Sequence, residues 1–177
     1  MKKTTTSILL IMCFFANAQE NQLTDLFTAK LGIIGSWVSY EKVLNDDFTI
    51  NAEIGLEDFA FRKRNGGNLE YSFSQTFSVE PRFYYNRKRR INKNKIVQNN
   101  TGNFIGLECF YVNKVFTNIN AITTHPVVLL ARYGINRRVS NRINFEFISG
   151  IGKKLSENSS NTIYLAFDVR FSYVFKK

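Results

Sequence analysis

The chain has 177 residues with 24 Lys and Arg against 14 Asp and Glu, and it holds 17 Phe and 8 Tyr but only 2 Pro, 2 Cys and 1 His. That length suits one domain. So few His and Cys exclude the ligand sets of structural zinc sites, and the many Phe, Tyr, Ser, Thr and Asn favour strands joined by polar turns over helices.

Lys2 and Lys3 precede the apolar run Ile8 to Phe15, and Ala16-Asn17-Ala18 follows with the small-x-small pattern of a signal-peptidase site. Residues 1–18 therefore read as a secretory signal peptide and residues 19–177 as the mature domain. The apolar run is far short of the ~20 residues that a membrane-spanning helix needs. A lipoprotein signal would use Cys13, but Met12 stands where a small residue is required. Without Cys13, Cys109 stands alone and no intramolecular disulfide is available.

Period-two alternation dominates the rest of the chain. Leu31 and Ile33 lie in one phase and Val38, Tyr40 and Leu44 in the other, so a turn is expected at Gly35-Ser36. Phe48, Ile50, Ala52, Ile54 and Leu56 form a clean strand, and Leu69 to Tyr85 a long one interrupted by Gln75 and Pro81. Further strands run through Ile105–Tyr111, Val127–Ile135 and Ile143–Ile151, and the last holds one apolar phase from Ile163 to Phe175. The total is eight strands. Connections are expected at 45–47, 60–68, 86–103, 114–126, 137–141 and 153–161. The tetrad Ile54-Gly55-Leu56-Glu57 recurs as Ile105-Gly106-Leu107-Glu108, weak evidence for duplication.

An apolar and a polar face occur in membrane and soluble barrels alike, and ring volume separates the two. An eight-stranded barrel is just wide enough for its interior side chains to fill it, and the aromatic phase is too bulky for that space. The opposite phase carries Ser39, Thr49, Asn51, Ser72, Ser74, Thr76 and Ser78 with Glu41, Glu53, Glu80, Glu108, Glu146, Asp168, Lys30, Arg82, Arg132 and Arg170. These are expected inside as a structural charge network, because an unpaired buried charge is expensive. Phe104, Phe110, Leu130, Ile148 and Tyr164 share the inward phase and weaken the pattern without reversing it. The expected fold is all-β, a single eight-stranded antiparallel up-and-down transmembrane β-barrel.

The stretch Trp37 to Leu44 with Tyr40-Glu41, the run Glu80-Pro81-Arg82-Phe83-Tyr84-Tyr85-Asn86 before a basic turn, and the terminal alternation ending in Phe175 carry a resemblance. On them the mature chain resembles the small outer-membrane β-barrels of the OmpA/OmpX type, and more closely the uncharacterised outer-membrane barrel-domain family of Bacteroidota. The resemblance implies insertion by the barrel-assembly machinery, which reads a last strand ending in an aromatic. Phe171, Tyr173 and Phe175 stand in that role here, with Lys176 and Lys177 after them as a departure. It also implies outer-membrane lipid and lipopolysaccharide as partners, and a monomer.

No catalytic, cofactor or metal constellation emerges. His125 invites comparison with lipid A acyl-modifying enzymes, but Thr123, Thr124 and Pro126 flank it without a nearby serine. The lumen acids are scattered over separate strands, unlike a metal site. Gly150-Ile151-Gly152-Lys153 reads as a strand end and not a phosphate loop. The basic run Arg87-Lys88-Arg89-Arg90 with Lys93 and Lys95 lacks interleaved aromatics for base stacking. It reads as a solvated turn, or one touching anionic headgroups or peptidoglycan, and no nucleic acid is expected. Cys109 falls in the outward apolar phase. The expected function is non-enzymatic, supporting envelope integrity or surface interaction around a plugged polar lumen. The rival is a soluble periplasmic, lipocalin-like barrel with an apolar ligand inside.

Overall fold

The computed structural model describes residues 22–63, 69–117, 127–155 and 163–175. The signal segment and His125 lie outside the described residues. Eight strands close into an antiparallel barrel in chain order: β1 (Leu26–Gly32), β2 (Gly35–Val43), β3 (Phe48–Lys63), β4 (Leu69–Phe83), β5 (Gly102–Thr117), β6 (Val127–Arg138), β7 (Ile143–Lys154) and β8 (Ile163–Phe175). Phe27 pairs with Phe175 and Leu31 with Phe171, so β1 and β8 seal the sheet and leave no open edge. The all-β, eight-stranded up-and-down barrel expected from alternation is the observed architecture.

Several boundaries differ from the sequence reading. The first turn is Ile33-Ile34, while Gly35 and Ser36 already belong to β2 and pair with Glu57 and Leu56. Two apolar turn residues carry no turn signal, whereas Gly-Ser does, which displaced the expected position. The segments 60–68, 114–126 and 153–161 are only partly connections, since β3, β5 and β7 run on to Lys63, Thr117 and Lys154. There the strands continue through backbone pairing, as in Arg62 with Glu70 and Phe116 with Phe73, without a clean apolar phase. Register shifts between Glu57 and Ala60 and between Gln75 and Thr76 interrupt the alternation at that end.

Segment 86–103 is the largest correction. Apart from buried Arg87 its basic run stays largely exposed, as a solvated turn would, but it is built as helix α1 (Arg87–Asn92) and a loop in which Asn94, Asn99 and Asn100 take φ of 50°, 54° and 52°. Asparagine tolerates that left-handed backbone better than most residues. The loop folds across one end of the barrel. Asn100 accepts from the Thr24 amide at 3.0 Å through Oδ1 and donates to the Thr24 carbonyl at 2.9 Å. The carbonyl of Asn99 accepts from Asn144 and Asn136 at 2.9 and 3.2 Å. Beneath it Leu23, Tyr84 and Phe104 form a buried cluster with Val43 packed against it. This is the closed end of the barrel, and the Ile33-Ile34 turn marks the opposite end.

Two glycines make room for inward aromatics. Gly55 pairs with Trp37, and a Cβ on it would lie 2.2 Å from the Trp37 ring. Gly134 pairs with Phe104, where a Cβ would lie 2.1 Å from ring carbon. Each ring lies flat across the bare backbone of its partner, which lets bulky side chains fit a narrow interior.

Candidate functional site

The apolar phase faces outward and the polar phase inward. On β8, Ile163, Leu165, Phe167, Phe171, Tyr173 and Phe175 are all exposed, while Asp168, Arg170 and Ser172 are buried. The same division holds on β5, where Ile105, Leu107 and Tyr111 are exposed and Phe104, Glu108 and Phe110 buried. Cys109 is on the exposed face. The 13 residues of β8 at about 3.3 Å each, tilted about 40°, rise on the order of 30 Å.

Every strand contributes a charged side chain to the interior. Asp168 binds Arg170 Nε at 2.5 Å, and Arg170 Nη1 reaches Glu53 at 2.8 Å. Lys30 Nζ bridges Glu53 at 2.6 Å and Glu146 at 3.3 Å. Arg82 joins Glu146 at 3.1 Å to Glu80 at 2.6 Å, with Glu41 at 3.8 Å beside it. Arg132 then links Glu80 at 3.4 Å to Glu108. The nine charged residues singled out from the sequence, with Lys30, thus form one continuous chain of alternating sign. Glu80 and Arg82 at its centre are 0% and 1% exposed. Isolated buried ions are costly, so the alternation is what makes so charged an interior tenable.

Aromatic rings bracket this network. The Arg82 guanidinium lies 4.3 Å from the centre of the Phe104 ring, and that of Arg170 lies 3.7 Å from Trp37. Tyr84 donates to Glu41 at 2.8 Å at the closed end. Trp37 Nε1 donates to Glu57 at 2.5 Å, and Thr76 adds a second bond at 3.2 Å.

Toward the other end a vestibule of about 170 Å³ has a mixed charged and apolar lining. Glu57, Glu108, Asp168, Arg132 and Arg170 line it together with Phe110, Leu130 and Tyr164, which stand nearer the Ile33-Ile34 end than the charges of the same strands β5, β6 and β8. These inward apolar residues, which weakened the alternation in the sequence, have a common place there.

Glu57, Trp37, Tyr84 and Asn100 were not among the site residues read from the sequence. A signal for Glu57 was present in the repeated tetrad. In both copies Ile and Leu face outward, Gly and Glu inward, and both glutamates border the vestibule. Tyr84 and Asn100 act through a chain reversal that no local pattern encodes.

The basic segment is divided by the fold. Arg87 is buried, Lys88 reaches Asp47 at 3.2 Å, and Arg90 donates to the Ile96 carbonyl at 2.7 Å. Phe171, Tyr173 and Phe175 face outward near the seam with β1. Among the described residues no cluster of His, Cys, Asp and Glu is arranged to hold a metal ion, and no helix is long and apolar enough to cross a membrane.

No protein-family model, curated protein or solved structure matches this chain. The resemblance to small outer-membrane barrels rests on the residues that suggested it.

Proposed function

We propose that the protein is a non-enzymatic outer-membrane β-barrel with a plugged polar lumen, serving envelope integrity or surface interaction. The observation that carries this reading is the inversion of polarity: exposed aromatic and aliphatic side chains clothe the barrel while ten linked charges fill it. An outward apolar band flanked by aromatic girdles is the surface a lipid bilayer accepts. Tyrosines stand near both ends of that band, Tyr71 and Tyr111 at one and Tyr40, Tyr85 and Tyr173 at the other. The closed sheet also satisfies its backbone groups internally, as hydrocarbon requires.

On this reading the signal peptide delivers the chain to the periplasm, and Phe171, Tyr173 and Phe175 present it to the barrel-assembly machinery. The monomer then sits among outer-membrane lipid and lipopolysaccharide. The packed charge network and the lid formed by residues 84–101 leave it non-conducting. The lipocalin-like alternative calls for an apolar cavity through the middle of the barrel, where Glu80, Arg82 and Glu53 stand instead.

Cell fractionation of the full chain, with heated and unheated samples compared by detergent gel electrophoresis, tests the proposal. Recovery in the outer membrane with a heat-dependent mobility shift is expected. A soluble periplasmic product without that shift would overturn it.

A further inference from the structure

Two hollows on the barrel surface adjoin each other and differ in chemistry. At the closed end, Arg89, Arg90, Lys93 and Lys95 from the α1 segment and Arg137 from β6 surround a hollow of about 290 Å³ whose lining contains no carboxylate. Arg137 is anchored to the carbonyls of Gly102 and Asn136 at 3.0 and 2.8 Å and to Asn103 Oδ1 at 2.5 Å. Arg90 Nε is buried without a hydrogen-bond partner. Burial, and then the Arg137 guanidinium, hold Arg90 below the ordinary guanidinium range. Two anchored arginines and three exposed cations are therefore gathered around one hollow, with no counter-charge supplied by its lining.

Directly along the wall, β4 to β7 carry a furrow of about 840 Å³. Its floor is small because Ala131 and Ser149 occupy outward positions whose cross-strand partners are Leu107 and Ile151 for the first and Tyr133 and Phe167 for the second. Phe83 and Ile105 complete its sides. Tyr133 in the furrow and Tyr85 at the basic hollow bring their hydroxyls to 3.3 Å, and Asn103 Nδ2 donates to both at 2.8 and 3.1 Å. The apolar furrow and the basic hollow are thus continuous.

We propose that this surface is a binding site for a glycerophospholipid with a net anionic headgroup, its acyl chain in the furrow and its phosphate among Arg89, Arg90, Lys93, Lys95 and Arg137. A free phosphate would use the hollow and leave the furrow empty, whereas a zwitterionic lipid would leave the excess positive charge unanswered. The site rests on the membrane reading given above, since the furrow meets acyl chains only in a bilayer.

The test is native mass spectrometry of the mature barrel released from bilayer discs holding equal dioleoyl phosphatidylglycerol and dioleoyl phosphatidylcholine. Wild type retains one phosphatidylglycerol in preference to phosphatidylcholine. The triple variant Arg89→Gln/Lys93→Gln/Lys95→Gln loses that preference at least about tenfold, each surface cation being worth several-fold in affinity for anionic lipid. Ala131→Phe, which fills the furrow, lowers retention of phosphatidylglycerol while binding of soluble glycerol phosphate stays unchanged. Equal retention of the two lipids by wild type, or full preference in the triple variant, would overturn the site. So would glycerol phosphate binding as tightly as the lipid. All three failures occur in a barrel that inserts and shifts on heating, and so differ from failure of the membrane reading, in which the wild-type chain does not insert.

Discussion

Arg170 Nη1 stands 2.8 Å from Glu53 Oε2 although β8 and β3 share no backbone pairing. The contact crosses the interior and joins residues 117 apart in the chain. Hydrogen bonds between neighbouring strands close the wall of the barrel, and such ion pairs tie opposite sides of it together.

Arg170→Met leaves Asp168 without its guanidinium and Glu53 with a weaker set of partners. Breaking a buried pair from one side costs about 3–5 kcal/mol, more than the pair contributes. The loss is expected in urea unfolding of the refolded barrel, followed by the fluorescence of Trp37, the one tryptophan in the chain. The double variant Arg170→Met/Glu53→Gln should cost clearly less than the sum of its parts. Strict additivity would show that the two side chains do not interact.

Gly55→Ala drives a methyl group into the Trp37 ring, which lies 2.2 Å from the new Cβ position. Overpacking of this kind costs about 1–3 kcal/mol. Adding Trp37→Leu removes the obstruction and should recover part of the loss. The heat needed to convert folded to unfolded mobility in a gel reports both changes, and a wild-type profile for Gly55→Ala would refute the packing argument.

Asp25, just before β1, titrates at about 2, lowered by its hydrogen bond from Lys42 and then by that from the Val43 amide. The usual carboxyl value near 3.8 applies once the chain unfolds. The folded state therefore binds its proton less readily. The stabilisation is complete above pH 4 and disappears as the pH falls through about 2. An exposed pair of this kind contributes at most about 1 kcal/mol. Asp25→Asn should flatten the fall of the unfolding midpoint between pH 4 and 2, and an unchanged slope would remove Asp25 as its source.

Phe167 and Phe175 both face outward on β8, the first well inside the exposed band and the second at its end. Under the membrane reading, Phe167→Arg costs about 2–4 kcal/mol in a bilayer and Phe175→Arg only about 0–1 kcal/mol. Unfolding of both variants in lipid vesicles measures the difference. Equal costs at the two depths would count against an embedded wall.

The architecture was legible because each strand presents one face to each side, and a period of two records that directly in the chain. The charged residues facing inward were legible for the same reason, from Glu41 on β2 to Arg170 on β8. Less legible were the places where neither face is uniform. The Ile33-Ile34 turn has no turn chemistry, and the ends of β3 and β5 are held by backbone pairing in which polar and aromatic residues mix, as at Arg62 with Glu70 and Phe116 with Phe73. Glu57 was written into the repeated tetrad, but only the register that puts Trp37 over Gly55 turns it into an acceptor for the indole.

By itself the sequence determined strand number, through local alternation, and the inward or outward direction of most side chains, through the ring volume that a narrow barrel cannot hold. The tertiary structure alone decided which charge meets which, because partners such as Lys30 and Glu146 lie 116 residues apart and meet only after the barrel closes. It also decided that residues 84–101 form the closed end instead of a free loop. That outcome depends on Asn100 reaching Thr24 and on Tyr84 entering the barrel, long-range contacts that no periodicity records.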